Sequence, residues 1–150
     1  MFEAFTDAAR IVMALANREA QREDHDQIYA AHILLGIMKA ETGVGGRTLH
    51  ALGVTPANAR REIEKLMKSG SGSLAEKLPP TSEAKKAIEN AMAESRDLGH
   101  DSIGTGHMLL GLLGERDGVP AKVLQNLGLT ISVVREEVVE LLRKTNGADD

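Results

Sequence analysis

The chain contains one twelve-residue stretch twice, and this duplication constrains the fold more than any other feature of the sequence. Residues 25–36, HDQIYAAHILLG, reappear as residues 100–111, HDSIGTGHMLLG, at an offset of 75. The same offset holds without a gap from Thr6/Thr81 to Leu66/Leu141. The chain is therefore two copies of one unit, and copies of this kind bury their apolar faces by packing on each other.

The apolar composition favours helices. Among 150 residues there is no Trp, one Tyr and two Phe, so the core must be built from Leu, Ile, Val, Met and Ala. These residues suit closely packed helices better than a sheet rich in aromatic residues. We therefore expect an all-α fold of two tandem four-helix repeats, eight helices in all, packed with pseudo-twofold symmetry.

Helical periodicity places four helices in each copy. The predicted spans are about 7–22, 31–41, 44–53 and 56–68, then 82–97, 105–115, 119–126 and 131–144. Thr6 and Thr55 are expected to cap the first and fourth of these. Because residues 69–73 are only Ser and Gly and Pro79-Pro80 follow, we expect one domain made of repeat 1 (about 1–68), a linker (69–80), repeat 2 (about 81–144) and a flexible tail (145–150).

Charge and composition narrow the partners. Residues 1–68 hold nine basic and nine acidic residues, against nine and thirteen in the remainder, so there is no basic stripe for nucleic acid. The absence of Cys removes disulfides and thiol catalysis. No apolar run reaches membrane-spanning length and the chain does not open on a signal segment. The expectation is a cytoplasmic protein with neither a nucleic acid nor a membrane partner.

Four repeated histidines, His25, His32, His100 and His107, are the strongest candidates for chemistry. Imidazole is a common zinc ligand, so a small helical metal- or ligand-binding protein is the alternative hypothesis. Each pair, however, spans a loop and a helix start, and no His-Glu-x-x-His pattern is present. We prefer a structural role in which each imidazole bonds backbone groups at the loop-to-helix junction, and we expect neither a metal nor a cofactor.

Other candidate sites have simpler interpretations. Asp26 and Asp101 occupy equivalent positions at helix starts, and the glycine-rich segment 43–46 lacks the Lys-Ser/Thr of a phosphate-binding loop. No nucleophile-and-base arrangement can be identified by spacing, so no enzyme activity is expected. We interpret the basic residues as a solvated face because they are interleaved with acids; they are Arg10, Arg47, Arg60, Arg61 and Lys65.

Two of the three aromatic residues, Phe2 and Phe5, precede the first helix. Each could close the junction between the copies or stay exposed to anchor a partner. Burial is favoured for Phe5, because Phe is usually buried, while both interpretations stay open for Phe2.

Several motifs resemble one known family. They are the opening segment from Met1 to Arg10, the two His-x-x-Ile-x-x-x-His-hydrophobic-Leu-Leu-Gly stretches and the Leu-Gly pairs ending at Gly53 and Gly128. Together they resemble the Clp N-terminal repeat domain, which precedes the ATPase rings of ClpA- and ClpC-type protein unfoldases. The resemblance covers nearly the whole chain and implies a non-enzymatic module that binds adaptor or substrate proteins, or a Clp ATPase ring.

The resemblance also implies a partner-binding groove near the N-terminus and the first helix of each repeat. The matching positions are Phe2, Arg10, Met13, Lys85 and Glu89. The family usually has Gly-Thr-Glu-His at the start of the second helix of each repeat, and those glutamates help the ClpC branch bind phosphorylated arginine. Here Ala31 and Gly106 replace them, so a divergent ligand preference is expected, and Ala30 is expected to remove a capping hydroxyl worth about 1 kcal/mol. The chain is either a stand-alone member or a piece excised from an ATPase.

Overall fold

The structure is a computed structural model that describes residues 4–67, 78–145 and 148. The described residues form eight helices: α1 (Asp7–Arg22), α2 (Ala30–Lys39), α3 (Val44–Ala51), α4 (Pro56–Leu66), α5 (Ser82–Asp97), α6 (Thr105–Leu113), α7 (Val119–Asn126) and α8 (Ile131–Thr145). The predicted all-α fold is confirmed. None of the described helices is both long and apolar enough to cross a bilayer.

Four predicted helix ends were two residues too late, those of α2, α3, α4 and α6, and α8 ends one residue later than predicted. The end of α3 shows the reason. Gly53 has a φ of 86°, a left-handed conformation that glycine adopts without strain, and its N–H bonds the carbonyl of His50. The turn that ends the helix therefore begins before the glycine that marks it in the sequence.

Threonine hydroxyls cap the first helix of each repeat. The Ala9 N–H donates to Oγ1 of Thr6 at 3.0 Å, and the Ala84 N–H donates to Oγ1 of Thr81 at 3.1 Å. Each hydroxyl satisfies a backbone N–H that has no partner within the helix. The expected cap at Thr6 is confirmed, and Thr81, the equivalent residue of repeat 2, caps α5 in the same way.

Helices α2 and α6 lie at the centre of the domain, and each packs against the first helix of its own repeat. Gly36 in α2 and Gly111 in α6 permit this close approach. A Cβ atom on Gly36 would lie 2.6 Å from the carbonyl oxygen of Val12, and one on Gly111 would lie closer still to that of Ala87. The same glycine, 75 residues apart, thus fixes the same helix pair in both repeats.

The two repeats exchange backbone hydrogen bonds at symmetric positions. The Thr6 N–H donates to the carbonyl of Ile103, and the Thr81 N–H donates to the carbonyl of Ile28, both at 2.9 Å. Phe5 forms an isolated bridge with Ile103 and is 3% exposed, which confirms that it closes the junction between the repeats. Phe2 lies outside the described residues. Since each repeat begins beside the loop of the other, the arrangement is pseudo-twofold.

Candidate functional site

The central histidine of each repeated stretch caps its own helix. In α2 the Tyr29 N–H donates to Nδ1 of His32 at 2.8 Å, and in α6 the Gly104 N–H donates to Nδ1 of His107 at 2.9 Å. Both imidazoles are buried. The predicted structural role at the loop-to-helix junction is confirmed for these two residues, and neutral His32 and His107 must carry their ring proton on Nε2.

The two repeats differ in the contact made by Nε2 of this histidine. In repeat 2, Nε2 of His107 lies 2.9 Å from Nδ1 of His100. The Nε2–H of His107 therefore donates a hydrogen bond to His100, which orients the His107 ring. In repeat 1 the rings of His25 and His32 meet edge to face with centroids 4.8 Å apart. Burial is the main cause that lowers the pKa of His32 from 6.5 to about 4; the neighbouring His25 contributes to the shift and Glu19 opposes it.

A cavity of about 40 Å³ adjoins the histidines of repeat 1. Its lining includes His25, His32, Glu23 and Glu64. At the positions equivalent to the two glutamates, repeat 2 has Leu98 and Val139. Among the described residues, no group of three or more His, Cys, Asp or Glu side chains is arranged to hold a metal ion. The cavity is large enough for water and places polar groups around it.

The hydroxyl at the first position of α6 does not cap its own helix but bonds the first turn of α3, which corrects the expectation drawn from Ala30. Oγ1 of Thr105 accepts a buried hydrogen bond from the N–H of Gly45 in α3, at 2.9 Å. The equivalent pair is Ala30 and Pro120, which has neither the hydroxyl nor the N–H. Because both partners are missing together, no buried polar group is left unsatisfied, and the predicted loss of about 1 kcal/mol does not apply.

A buried ion-pair network joins the end of α1 to α4. Glu19 is 1% exposed and receives two hydrogen bonds from the Arg60 guanidinium, at 2.8 and 3.2 Å, and an ion pair from Lys39. Burial opposes ionisation of Glu19, but the hydrogen bonds from Arg60 and Lys39 lower its pKa from 4.5 to about 2. The pair recurs between Glu94 and Arg135 in repeat 2, with both bonds at 2.8 Å and greater exposure.

The network shows where the interpretation of the basic residues as a solvated face was wrong. The hydrogen bond with Glu19 raises the pKa of Arg60, which is therefore structural rather than solvated. In Arg47, Nε and Nη2 are buried. The sequence already contained a signal for the pairing of Arg60 with Glu19, because Glu19/Glu94 and Arg60/Arg135 both recur at the offset of 75.

Two of the residues predicted to form the partner groove, Arg10 and Lys85, lie on the first turn of the first helix of each repeat, and Met13 and Glu89 lie one turn further on; Phe2 lies outside the described residues. Arg10 and Lys85 are exposed, and each occupies the first full turn, where its N–H bonds the carbonyl of the capping threonine. Arg10 also lies 3.6 Å from Asp7. Met13 is half-buried against the core and Glu89 is exposed. The symmetric hydrogen bonds at Thr6 and Thr81 hold both turns next to the loop of the other repeat.

The positions at which the resemblance expects glutamates are buried. Ala31 is 1% exposed and Gly106 is buried. A Cβ atom on Gly106 would lie 2.8 Å from Cγ1 of Val44 and 3.1 Å from Cδ2 of Leu142, so these side chains would have to move to admit a larger residue. In this chain apolar side chains fill the space beside the second position of α6.

Taken together, the described residues offer exposed charges on first helix turns and histidines already engaged in hydrogen bonds. The sequence predicted that His32 and His107 bond the backbone, but two contacts were missed: the hydrogen bond between Gly45 and Thr105 and the ion pair between Lys39 and Glu19.

Comparisons with known proteins agree with this architecture. The profile of the Clp repeat (R) N-terminal domain matches residues 4–127 and 80–150. A ClpA homolog from Guillardia theta, the ATP-binding subunit of an ATP-dependent Clp protease, is 44% identical over 145 residues, which are 97% of this chain and 18% of the relative. The chain thus spans less than a fifth of the length of that relative.

Two solved structures share the fold. The N-terminal domain of the chaperone ClpD from Arabidopsis thaliana has a TM-score of 0.78 at 22% identity, covering 95% of this chain and 97% of that one. The ClpV N-domain, solved in complex with a VipB peptide, has a TM-score of 0.71 at 12% identity, covering 93% and 89%. On the match to the family profile across both repeats, the chain belongs to the Clp repeat N-terminal domain family.

Proposed function

We propose that this domain is a non-enzymatic protein-binding module that recognises adaptor proteins or substrate segments for a Clp-type ATP-dependent unfoldase. Its binding surface comprises Phe2, Arg10, Met13, Lys85 and Glu89. The module acts by presenting this surface to a partner, and the ATPase of the unfoldase does the mechanical work. The chemistry fits this role, because exposed charges beside a half-buried Met offer both electrostatic selection and an apolar contact.

The observation that carries the proposal is the symmetric placement of Arg10 and Lys85. Both are exposed cations on the first turn of an equivalent helix, and a backbone bridge to the other repeat fixes each turn. A rigid backbone lowers the entropy lost when a partner binds. The relative solved with a bound peptide, the ClpV N-domain, supports the choice of a protein segment as the ligand class.

Phosphorylated arginine is not the ligand we propose. Its guanidinium would need carboxylates at the starts of α2 and α6, where this chain has Ala31 and Gly106. Val44 and Leu142 crowd Gly106, so a glutamate there would have to displace both side chains. The module should therefore recognise the pattern of charged and apolar residues in an unmodified protein segment.

Fluorescence anisotropy tests the proposal with two labelled probes, an adaptor protein of the Clp system and unfolded casein. The variant Phe2→Ala with Lys85→Glu should bind at least one probe about tenfold more weakly than the parent, a loss of about 1.4 kcal/mol. Its helical circular dichroism should not change, because Lys85 is exposed. Lys122→Glu is the matched control, since Lys122 is also exposed and α7 packs against neither α1 nor α5 among the described residues.

Two outcomes would contradict the proposal. One is the absence of saturable binding to adaptors, unfolded proteins and Clp ATPase rings alike. The other is an equal loss of binding in the Lys122→Glu control, which would show that net charge matters and the surface does not.

A further inference from the structure

A second surface of α1 faces solvent and is separate from the predicted groove. Five residues follow one another at spacings of three and four along this helix, and we name them the α1 seam: Ala8, Ile11, Leu15, Arg18 and Arg22. Such spacing brings side chains onto one helix face. Ile11 is 55% exposed, more than any other large apolar side chain among the described residues. Arg10 and Met13 lie on a different flank, because each residue advances the helix by about 100°.

Repeat 2 shows that the fold does not require this seam. The equivalent positions in α5 are Glu83, Lys86, Asn90, Ala93 and Asp97. Helix α5 packs on α6 as α1 packs on α2, with the same glycine contact, yet it presents no large apolar residue there. Its Asn90 is tied to the carbonyl of Gly111 and to Glu115. Of these two helices, therefore, only α1 carries this apolar and basic face, although both pack in the same way within their own repeats.

Charge divides the α1 seam along its length. Its N-terminal half is apolar, and its C-terminal half carries the exposed Arg18 and Arg22. Neither arginine forms an ion pair with another described residue. The equivalent α5 positions carry two acids and one base. Two cations that form no ion pair with a described acid make the complementary ligand acidic at this end.

We infer that the α1 seam is a docking site for an acidic amphipathic helix of a partner protein. The partner helix supplies apolar side chains opposite Ile11 and Leu15 and carboxylates opposite Arg18 and Arg22. The seam spans about 21 Å from Ala8 to Arg22 at 1.5 Å per residue, which matches a partner helix of about four turns. This site goes beyond the groove proposed above, and the two surfaces leave room for different partners.

The orientation of the partner follows from helix electrostatics. Carboxylates are most favourable in the first turn of a helix, near the positive end of its dipole. Such a turn must lie beside Arg18 and Arg22, at the C-terminal end of α1. The partner helix therefore runs antiparallel to α1, with its acids first and its apolar residues later in the sequence.

A designed peptide tests this site directly. The probe is a fluorescein-labelled helical peptide of sixteen residues with Glu at the seam-facing positions of its first two turns and Leu at those of its last two. Anisotropy should show saturable binding, which weakens as salt screens the charges. Arg18→Glu with Arg22→Glu, and separately Ile11→Ala, should each weaken binding about tenfold. Lys86→Glu, at the position in α5 equivalent to Ile11, should leave it unchanged.

Three results would overturn the inference. The first is no saturable binding to a chain whose circular dichroism shows that it is folded. The second is equal affinity for a control peptide in which Lys replaces every Glu. The third is a concentration-dependent dimer of the free chain that the Arg18→Glu and Arg22→Glu substitutions abolish, since the occupant would then be a second copy of this chain.

Discussion

Acidification should destabilise this domain through one buried side chain, His32. Its Nδ1 accepts the N–H of Tyr29 and so caps α2. Protonation of Nδ1 would remove this acceptor and place a positive charge beside His25 in a buried site. The pKa of His32 therefore lies near 4 in the folded chain, against 6.5 when unfolded.

The sign and size of the effect follow from linkage. Between these two pKa values the unfolded chain binds more protons at His32, so the free energy of unfolding falls as the pH falls. The stabilisation is fully present above about pH 6.5, and integration gives a loss of about 2 kcal/mol by pH 5 and about 3 kcal/mol by pH 4. Below pH 4.5 a second loss begins, because the pKa of Glu19 is lowered to about 2.

Urea unfolding followed by circular dichroism from pH 8 to pH 4 measures this loss, and His32→Asn isolates its source. The protein already uses an asparagine in the same way: the Thr55 N–H donates to Oδ1 of Asn58 at 2.8 Å, three residues on, as Tyr29 does to His32. An asparagine at position 32 can keep the bond and does not titrate. The free energy of unfolding of the parent, relative to that of His32→Asn, should therefore fall by about 3 kcal/mol between pH 7 and pH 4.

A parent and variant that lose stability in parallel over this pH range would refute the reasoning. Such a result would mean that His32 is not the source of the loss. His100→Asn gives a comparison in repeat 2, where the imidazole orients its neighbour and does not cap the backbone directly.

Three further predictions rest on the comparison between repeats, and urea unfolding at pH 7 measures each. Glu19→Gln should cost about 2–3 kcal/mol because it removes a buried carboxylate that accepts charge-assisted hydrogen bonds from Arg60, whereas Glu94→Gln should cost about 1 kcal/mol or less, since its ion pair is more exposed; equal costs would show that burial is irrelevant. Thr105→Val should cost about 1–3 kcal/mol by leaving a buried N–H unsatisfied, but Ala30→Thr should bring no gain; a stabilising Ala30→Thr would restore the idea of a missing cap. Gly111→Ala should cost about 3 kcal/mol, the upper end of the usual cost of overpacking, since its Cβ meets the backbone of α5, and a change below about 1 kcal/mol would show that the helices separate easily.

The sequence predicted the helices well because the signals for them are local. Thr6 lies directly before its helix, and apolar residues recur at helical spacing within it. The duplication at an offset of 75 also meant that the helices predicted in one repeat supported those predicted in the other. Helix ends were less accurate, since the last turn depends on the geometry that follows it, as at Gly53. The burial of Phe5 followed from its chemistry alone, although its partner Ile103 did not.

The parts that could not be predicted depend on residues far apart in the chain. Thr105 bonds Gly45 across 60 positions, and nothing near either residue indicates the other. Glu19 and Arg60 recur together at the offset of 75, but recurrence alone does not show that a charge is buried. The capping role of His32 was predicted only in general terms, because the choice between Nδ1 and Nε2 depends on how the backbone turns at Tyr29.

The proposed binding surface is tested most directly by mapping where a partner binds. Two-dimensional ¹H–¹⁵N spectra of the labelled chain, titrated with an unlabelled adaptor protein of the Clp system, report each backbone amide separately. The largest shifts should occur at Arg10, Met13, Lys85 and Glu89, with Lys122 in α7 unchanged. No shift at saturating adaptor, or shifts that avoid the first turns of both α1 and α5, would contradict the proposal.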